Sequence, residues 1–365
     1  MAKAEFSFVI GTQAEWIKLK PLILRLQARK KTIHLIATGQ HRWWNPCPDP
    51  ADFQPDVVLS TGPGRSTPLA LFLWFCAVFL RIAAQRMGPT KPLPASCRFL
   101  IIHGDTLSTL LGALLGRLYQ RRVCHVEAGL RSERLFEPFP EEIIRRTVSL
   151  LSSYAFSPNE WSLHNLGKKP SFNMGAKTLL DSVRDQLEAN KSNPPRLLLP
   201  SPFFIAVLHR HENLRDLSRT KLALSLIQEQ ASKRGCLFLL HANTRASLER
   251  YGFLDEIKKH PAIHPAPLLS FSVFLEHLAH AEFLMTDGGS NQEEASYLGV
   301  PCLLLRRVTE RREGLDKNVV LGKFDPRILQ DFFDHYPRHR IPFHLEGPSP
   351  SDQAAAELIR MADCP

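Results

Sequence analysis

Residues 286–294 read TDGGSNQEE: a strand-like apolar run at 281–285 ends in two adjacent glycines, and a helix-like run follows, ending near Leu298. Such a strand–glycine–helix junction is how a β-α unit turns its corner in a parallel sheet, and it leaves free N–H groups and the positive end of a helix dipole at the strand's carboxyl end. Gly288 and Gly289 allow close approach of a ligand to the backbone, and Glu293 and Glu294 offer carboxylates to sugar hydroxyls, so the loop has the chemistry of a phosphate seat. Many α/β domains turn the same corner without a ligand. The junction therefore fixes a fold class before it fixes a function.

Working outward, short apolar runs alternate with helix-length periodic stretches along the chain, the βαβ rhythm of parallel sheets. Strands are expected at 6–10, 33–37, 57–59, 99–103 and 123–126, with helices at 16–29, 68–87, 107–119 and 140–153. A second series has strands at 203–208, 237–240, 283–285 and 302–305, with helices at 214–233, 271–279 and 291–298. Between the two, ANKSNPPRLLLPSP at 189–202 is proline-rich and polar and marks a linker. The expected fold is α/β with two Rossmann-like doubly wound domains facing a central cleft: an N-terminal domain at 1–188, a C-terminal nucleotide-binding domain at 203–348, and a last helix within 349–365 returning to the N-terminal domain. Open α/β sheets bind ligands beyond the carboxyl ends of their strands.

Composition bounds the rest. The 365 residues suit two domains, and 44% apolar with 22% charged residues is ordinary globular usage. A formal charge of +10 favours an acidic partner such as a nucleotide sugar. The cations are dispersed and not interleaved with aromatic residues, which argues against nucleic acid. Seven scattered cysteines without a CxxC pair indicate neither zinc nor a disulfide framework, and the start MAKAEFSFVIG leaves no room for a signal peptide, so a cytoplasmic location is expected. The unbroken apolar run from Leu69 to Leu80, LALFLWFCAVFL, is too short to cross about 30 Å of hydrocarbon. Two readings compete for it: a buried subunit contact, giving a homodimer, or peripheral contact with the inner face of a membrane through Arg81 and Arg86.

Polar motifs stand at the strand ends: Gly11, Thr12 and Gln13, with Lys18 in the next helix; Gly104 and Asp105; Glu127; and His209 to Asn213. Each residue has a structural alternative, Asp105 as a helix cap, Glu141 as a first-turn carboxylate paired with Arg145, His209 as a packed core residue. Carboxylates from three loops together with a histidine and a phosphate loop nevertheless point to a site in which one acid is protonated and another ionised.

The motifs IGTQAEWIKLKPL (10–22), TGQH (38–41), HGDT (103–106), HVEAGLRS (125–132), PFPEEIIRR (138–146), LHRHEN (208–213), HANTR (241–245), TDGGSNQEEASYLGVP (286–301) and TER (309–311) run in order over nearly the whole chain. In this the chain resembles the non-hydrolysing UDP-N-acetylglucosamine 2-epimerases, enzymes of the glycosyltransferase-B fold. The resemblance implies that Asp105, Glu127 and Glu141 are the catalytic carboxylates and that His209 and Arg145 handle charge at the diphosphate. It further implies that Lys18 and Arg306 line the site, Gly288, Gly289 and Ser290 hold the diphosphate, Glu294 meets the ribose and Phe271 the uracil. The implied reaction eliminates UDP across C1 and C2 to give a 2-acetamidoglucal and re-adds it with the C2 proton on the other face, using a UDP-sugar substrate and neither cofactor nor metal. Partial burial is expected for Glu127 and Asp105; which carboxylate serves which face stays open.

Departures from the family pattern accompany the match. Gln13 stands in place of an arginine, GGS replaces SGG, and Ala176 with one added residue replaces an asparagine after Gly175. Arg312 replaces a proline, and 42–50 lacks the family's polar helix beside a regulatory pocket. They leave room for an alternative on the same fold, a glycosyltransferase serving a membrane-borne acceptor, and for a non-catalytic binding subunit. Against the transferase, a single base would suffice, and three carboxylates would be unexplained.

Overall fold

The computed structural model describes residues 4–41, 54–62, 68–132 and 140–364. The first sheet is built from β1 (Phe6–Ile10), α1 (Gln13–Ala28), β2 (Ile33–Ala37), β3 (Val57–Val58), α2 (Pro68–Met87), β4 (Phe99–His103) and α3 (Leu107–Leu118). It continues through β5 (Arg122–Val126), α4 (Glu141–Leu151), β6 (Tyr154–Ser157), α5 (Glu160–His164) and β7 (Ser171–Asn173), after which α6 (Leu179–Ser192) leads from the first unit into the second. The second contains β8 (Phe203–Leu208), α7 (His211–Leu214), α8 (Leu217–Ala231), β9 (Gly235–Leu240), α9 (Ala242–Tyr251), α10 (Leu254–Lys259), β10 (Ile263–Ala266) and α11 (Phe271–His280). After these come β11 (Leu284–Thr286), α12 (Gly289–Tyr297), β12 (Cys302–Leu304), β13 (Val319–Leu321), α13 (Pro326–His335) and α14 (Pro350–Asp363).

Two compact units result: residues up to 182 with those from 347 onward, and residues 183–346. The first sheet is ordered β3-β2-β1-β4-β5-β6-β7 and the second β10-β9-β8-β11-β12-β13, with every pairing parallel. Both are Rossmann-like, and each reverses direction once, between β1 and β4 and between β8 and β11. β1, β4 and β8 are buried at every position, as strands covered on both faces must be. The long apolar strands lie where the sequence places them. The expected elements leave out β6, which lies between β5 and β7, and the helices α5, α6, α9, α10 and α13; they also leave out β7 and β13, three residues each at the edges, and β10, which carries Pro265 at an edge, where a missing N–H is harmless. The helix expected at 214–233 is α8, which starts only at Leu217, because the Asp216 side chain accepts from the Ser218 and Arg219 N–H groups and caps it there; Leu214 ends the short α7 instead. Residues 189–192 of the expected linker are the last turn of α6.

The last helix belongs to the first unit: Ala354, Ala355 and Leu358 join Trp16, Leu22 and Phe8 in its core, and Asp352 pairs with Arg29 at 2.8 Å. On the other face of that sheet, Trp74, Val78 and Ile82 of α2 pack with Val9, Leu100 and Ile102. The helix is longer than the apolar run at its core: Leu69–Met87 has a mean hydropathy of 1.6, is 17% buried, and by length and composition alone suffices to cross a membrane. The short-run criterion therefore does not exclude a span by itself. Arg81, whose guanidinium donates to the Leu59 carbonyl, and the three core residues identify α2 instead as a covering helix of the sheet, with Leu69, Phe72, Leu73 and Leu80 exposed.

Candidate active site

In the first unit the side chains gather beyond β1, β4 and β5. Thr12 caps α1 and forms a capping box with Glu15. The Glu15 carboxylate, buried, accepts from the Gly11 and Thr12 N–H groups at 2.6 and 3.0 Å and from the Thr106 hydroxyl at 2.5 Å, tying the loop after β1 to the loop after β4. Burial raises its pKa against those bonds. One and a half turns along α1, Lys18 reaches Glu127 Oε2 at 3.2 Å. Glu127 ends β5 in the left-handed region, at φ 59°, a conformation a non-glycine residue holds only when its surroundings impose it. Its other oxygen accepts from the Thr178 N–H and hydroxyl at 3.1 and 2.9 Å and lies 3.4 Å from His103 Nε2. Burial pushes this carboxyl up, but Lys18, then His103 and Lys177, outweigh it and hold it well below the usual carboxylate range. Glu127 is thus fully buried rather than half-buried, with 3% of its side chain exposed.

Asp105 follows Gly104 and does keep partial exposure. Arg145, 5% exposed, donates to its Oδ2 from Nε at 2.8 Å and reaches it from Nη2 at 2.6 Å. Arg145 also donates to Glu142, which accepts in addition from Arg146 and the Ser132 N–H. Of the two adjacent glutamates, Glu142 is the fully buried, structural one, and Glu141 is half-buried at the first position of α4. Lys18 with Glu127 and Asp105 with Arg145 are brought together as ion pairs.

In the second unit Asp287, beyond β11, is fully buried and accepts from the His209 N–H (2.9 Å), the Arg210 N–H (3.1 Å) and the Asn213 amide (3.1 Å), so the loops after β8 and β11 form one body. His209 stacks on His241 with ring centroids 4.6 Å apart. Burial, then Arg210, Arg306, His211 and Arg311, push His209 down to about 3, leaving it neutral at pH 7. Glu310 is the shared counter-ion of three arginines: Arg306 at 3.0 Å, Arg311 at 3.6 Å and Arg210 at 3.9 Å. Arg306 Nη1 and Arg210 Nε are buried without a hydrogen-bond partner among the described residues. Three guanidinium groups against two carboxylates, Glu310 and, for Arg311, Glu293, leave donors and positive charge for an anion.

Gly288 caps α12, and its N–H donates to the Thr286 hydroxyl at 2.9 Å. A Cβ there would meet His209 and Asn291, and one on Gly289 would meet the Arg311 side chain, so both glycines make room for neighbouring side chains. Ser290 follows in the first turn. Glu293 is not available to a sugar: it is fully buried in an ion pair with Arg311. Glu294 accepts from the Asn291 amide at 3.0 Å. Phe271 opens α11, half-buried, after the edge strand β10, two strands from β8. The sequence reading missed Asp287, Glu310 and Arg311 in this unit and Glu15, His103 and Lys177 in the other. Glu310 and Arg311 lie in the TER motif, Asp287 in the glycine loop and His103 in HGDT; only their partners reveal their use.

A sequence profile of the family described as UDP-N-acetylglucosamine 2-epimerase matches residues 95–340. The chain belongs to that family. The UDP-N-acetylglucosamine 2-epimerase of Methanocaldococcus jannaschii is 30% identical over 89% of this chain and 90% of its own, and that of Yersinia pestis is 31% identical over 86% and 85%. A crystal structure of the M. jannaschii UDP-GlcNAc 2-epimerase in complex with UDP-GlcNAc and UDP superposes with a TM-score of 0.82 at 27% identity, covering 98% of this chain and 99% of that one. The epimerase family thus accounts for the fold of both units.

Proposed function

We propose that the chain is an isomerase that inverts C2 of UDP-N-acetylglucosamine to give UDP-N-acetylmannosamine, by eliminating and re-adding UDP. The match to the epimerase family over 95–340 carries the reading, and the side chains supply a chemistry for it. Removal of the C2 proton sends its electron pair into a C1–C2 double bond, and the C1–O bond breaks with its pair leaving on the diphosphate. In the return step that oxygen attacks C1 while C2 takes a proton on the opposite face, so no electrons are gained or lost overall. Glu127, with both oxygens occupied by Lys18, Thr178 and His103, is a weak proton acceptor and serves as a fixed negative charge. Asp105 and Glu141, less buried, are the groups that exchange protons, and Arg145 holds Asp105 in place through two guanidinium nitrogens.

UDP is assigned to the second unit. Arg210, Arg306 and Arg311 offer charge, the start of α12 with Gly288, Gly289 and Ser290 offers N–H and hydroxyl donors, Glu294 meets the ribose and Phe271 the uracil. His209, neutral beside those arginines, gains a proton as the diphosphate brings negative charge. The free thiols Cys76, Cys97, Cys124, Cys236, Cys302 and Cys364 suit a cytoplasmic setting. The exposed apolar face of α2 is read as the contact of a homodimer, the membrane surface being the other outcome to test.

Proton NMR of the protein with UDP-N-acetylglucosamine in heavy water tests the reaction. Deuterium should enter C2 with no acceptor present, and a second anomeric signal should appear. A donor that stays unchanged alone but is consumed when a membrane-borne acceptor is added would replace the isomerase with the transferase.

A further inference from the structure

The two ion pairs of the first unit come from four places in the chain: Lys18 from α1, Glu127 from the end of β5, Asp105 from the turn after β4 and Arg145 from α4. Groups that act on one substrate need a fixed spacing, since a displacement of about 1 Å costs on the order of a hundredfold in rate. Glu15, 4% exposed, is shared between two of those places. Its Oε2 accepts from the Gly11 and Thr12 N–H groups at 2.6 and 3.0 Å, closing the turn that starts α1, the helix of Lys18. A capping box asks no more of the glutamate than that one oxygen. Its Oε1 accepts from the hydroxyl of Thr106 at 2.5 Å, and Thr106 directly follows Asp105 and caps α3. The turn that bears Asp105 is thereby fastened at each of its residues. The Gly104 carbonyl pairs with His125 Nε2 at 2.7 Å, Asp105 with Arg145, and Thr106 with Glu15.

From this we infer that Glu15 is a positioning residue for the isomerase reaction: through the Thr106 hydroxyl it fixes the Asp105 carboxylate relative to Lys18 and Glu127. The inference rests on the isomerase reading and extends it to a group set behind the reacting ones. Two N–H groups and a hydroxyl donate to Glu15, and an ionised carboxylate accepts from all three. Glutamine has the same shape but a single acceptor oxygen, which the α1 turn takes, and it presents amide hydrogens to Thr106 where the hydroxyl needs an acceptor. All these bonds lie within the first unit, whereas UDP is assigned to the second. Turnover and UDP affinity therefore separate a positioning role from general damage to the fold.

The test measures kcat for UDP-N-acetylglucosamine, and UDP affinity by calorimetry, in wild type, Glu15→Gln, Thr106→Val, Thr106→Ser and the double variant Glu15→Gln with Thr106→Val. Glu15→Gln and Thr106→Val should each lower kcat by about tenfold or more with UDP affinity within about twofold, and Thr106→Ser, which keeps the hydroxyl, should turn over as wild type does. Thr106→Val also loses the cap of α3, which Glu15→Gln retains, so the double variant isolates the link between them. It should be no slower than the slower single variant, within about twofold. Losses that multiply in the double variant overturn the inference, as does a folded Glu15→Gln enzyme with wild-type kcat. Should Glu15→Gln not fold, Thr106→Val against Thr106→Ser decides, and equal kcat in those two overturns it. A wild type that exchanges no deuterium at C2 removes the isomerase reading and this inference with it; a wild type that exchanges beside variants that keep its kcat removes the inference alone.

Discussion

At the scale of single residues, two carboxylates of the first unit have opposite surroundings. Asp105 shares its oxygen with one guanidinium and keeps contact with solvent, whereas Glu127 is enclosed by a lysine, a histidine and a threonine. Asp105→Asn should lower kcat by about a hundredfold or more with UDP affinity nearly unchanged, the mark of a lost proton-transfer group, and Glu127→Gln should also lower it by misplacing Lys18. Equal losses in UDP affinity and turnover would contradict the assignment. His209 gives a second test. Its pKa is depressed in the free protein, a diphosphate raises it, and the complex therefore holds more proton than its parts. UDP affinity should fall as pH rises through the pKa of the complex. Calorimetry in buffers of different ionisation enthalpy measures that uptake. Because the terminal phosphate of UDP titrates nearby, the difference between wild type and His209→Asn carries the result, and identical proton uptake in the two would remove His209 from the role.

Elements come next. The turn into α12 is tight because His209 and Arg311 occupy the space above its two glycines. Gly289→Val should therefore displace Arg311 from Glu293 and abolish UDP binding, while Ser290→Ala should weaken it by about 1 kcal/mol. Calorimetry reads both, and a valine variant that binds UDP as wild type does would exclude this turn as the diphosphate seat. On α2, Phe72 and Leu80 are 60% and 66% exposed and stand clear of the Trp74, Val78 and Ile82 face, so Phe72→Asp with Leu80→Asp should leave each subunit folded. Sedimentation velocity should show the dimer dissociated. A pair of substitutions that abolishes pelleting with anionic vesicles but leaves assembly intact would transfer the face to a membrane.

Much of this level is legible in the sequence, since a parallel strand covered on both faces must be written as an unbroken apolar run, and FSFVI, FLIIH and FFIAVL have no other home. What escapes is long-range. Nothing local in the DGG triplet says that Asp287 will collect three donors from a loop 74 to 78 residues earlier, or that Glu293 will be taken by Arg311 while Glu294 is not. The solitary Lys177 looks like any surface lysine until its neighbours are known.

At the scale of the whole molecule, burial holds several histidines down: His125 and His241 to about 4 and His209 to about 3, with His34, His41 and His277 lowered as well. Unfolding returns them to about 6.5, so the unfolded chain binds more protons below that pH. Stability should hold above pH 6.5 and decline progressively toward pH 4. For the 2%-exposed His125, whose Nε2 pairs with the Gly104 carbonyl, the contribution is on the order of 3 kcal/mol. Glu15 and Asp287, raised by burial, act in the opposite sense. Urea midpoints between pH 8 and pH 4 measure the effect, and a flat profile down to pH 5 would contradict the burial of these imidazoles.

The last helix carries a consequence for biogenesis. Since α14 completes the core around Trp16 and Leu22, the first unit is interrupted by the second, and a ribosome has released all of residues 183–346 before the closing piece emerges. The unit encoded without interruption can reach its native state while its predecessor is still missing a wall. Nascent chains stalled before Pro350 should accordingly present a protease-resistant 183–346 fragment and a protease-sensitive amino-terminal portion, and release of the final helix should convert the latter to the resistant form.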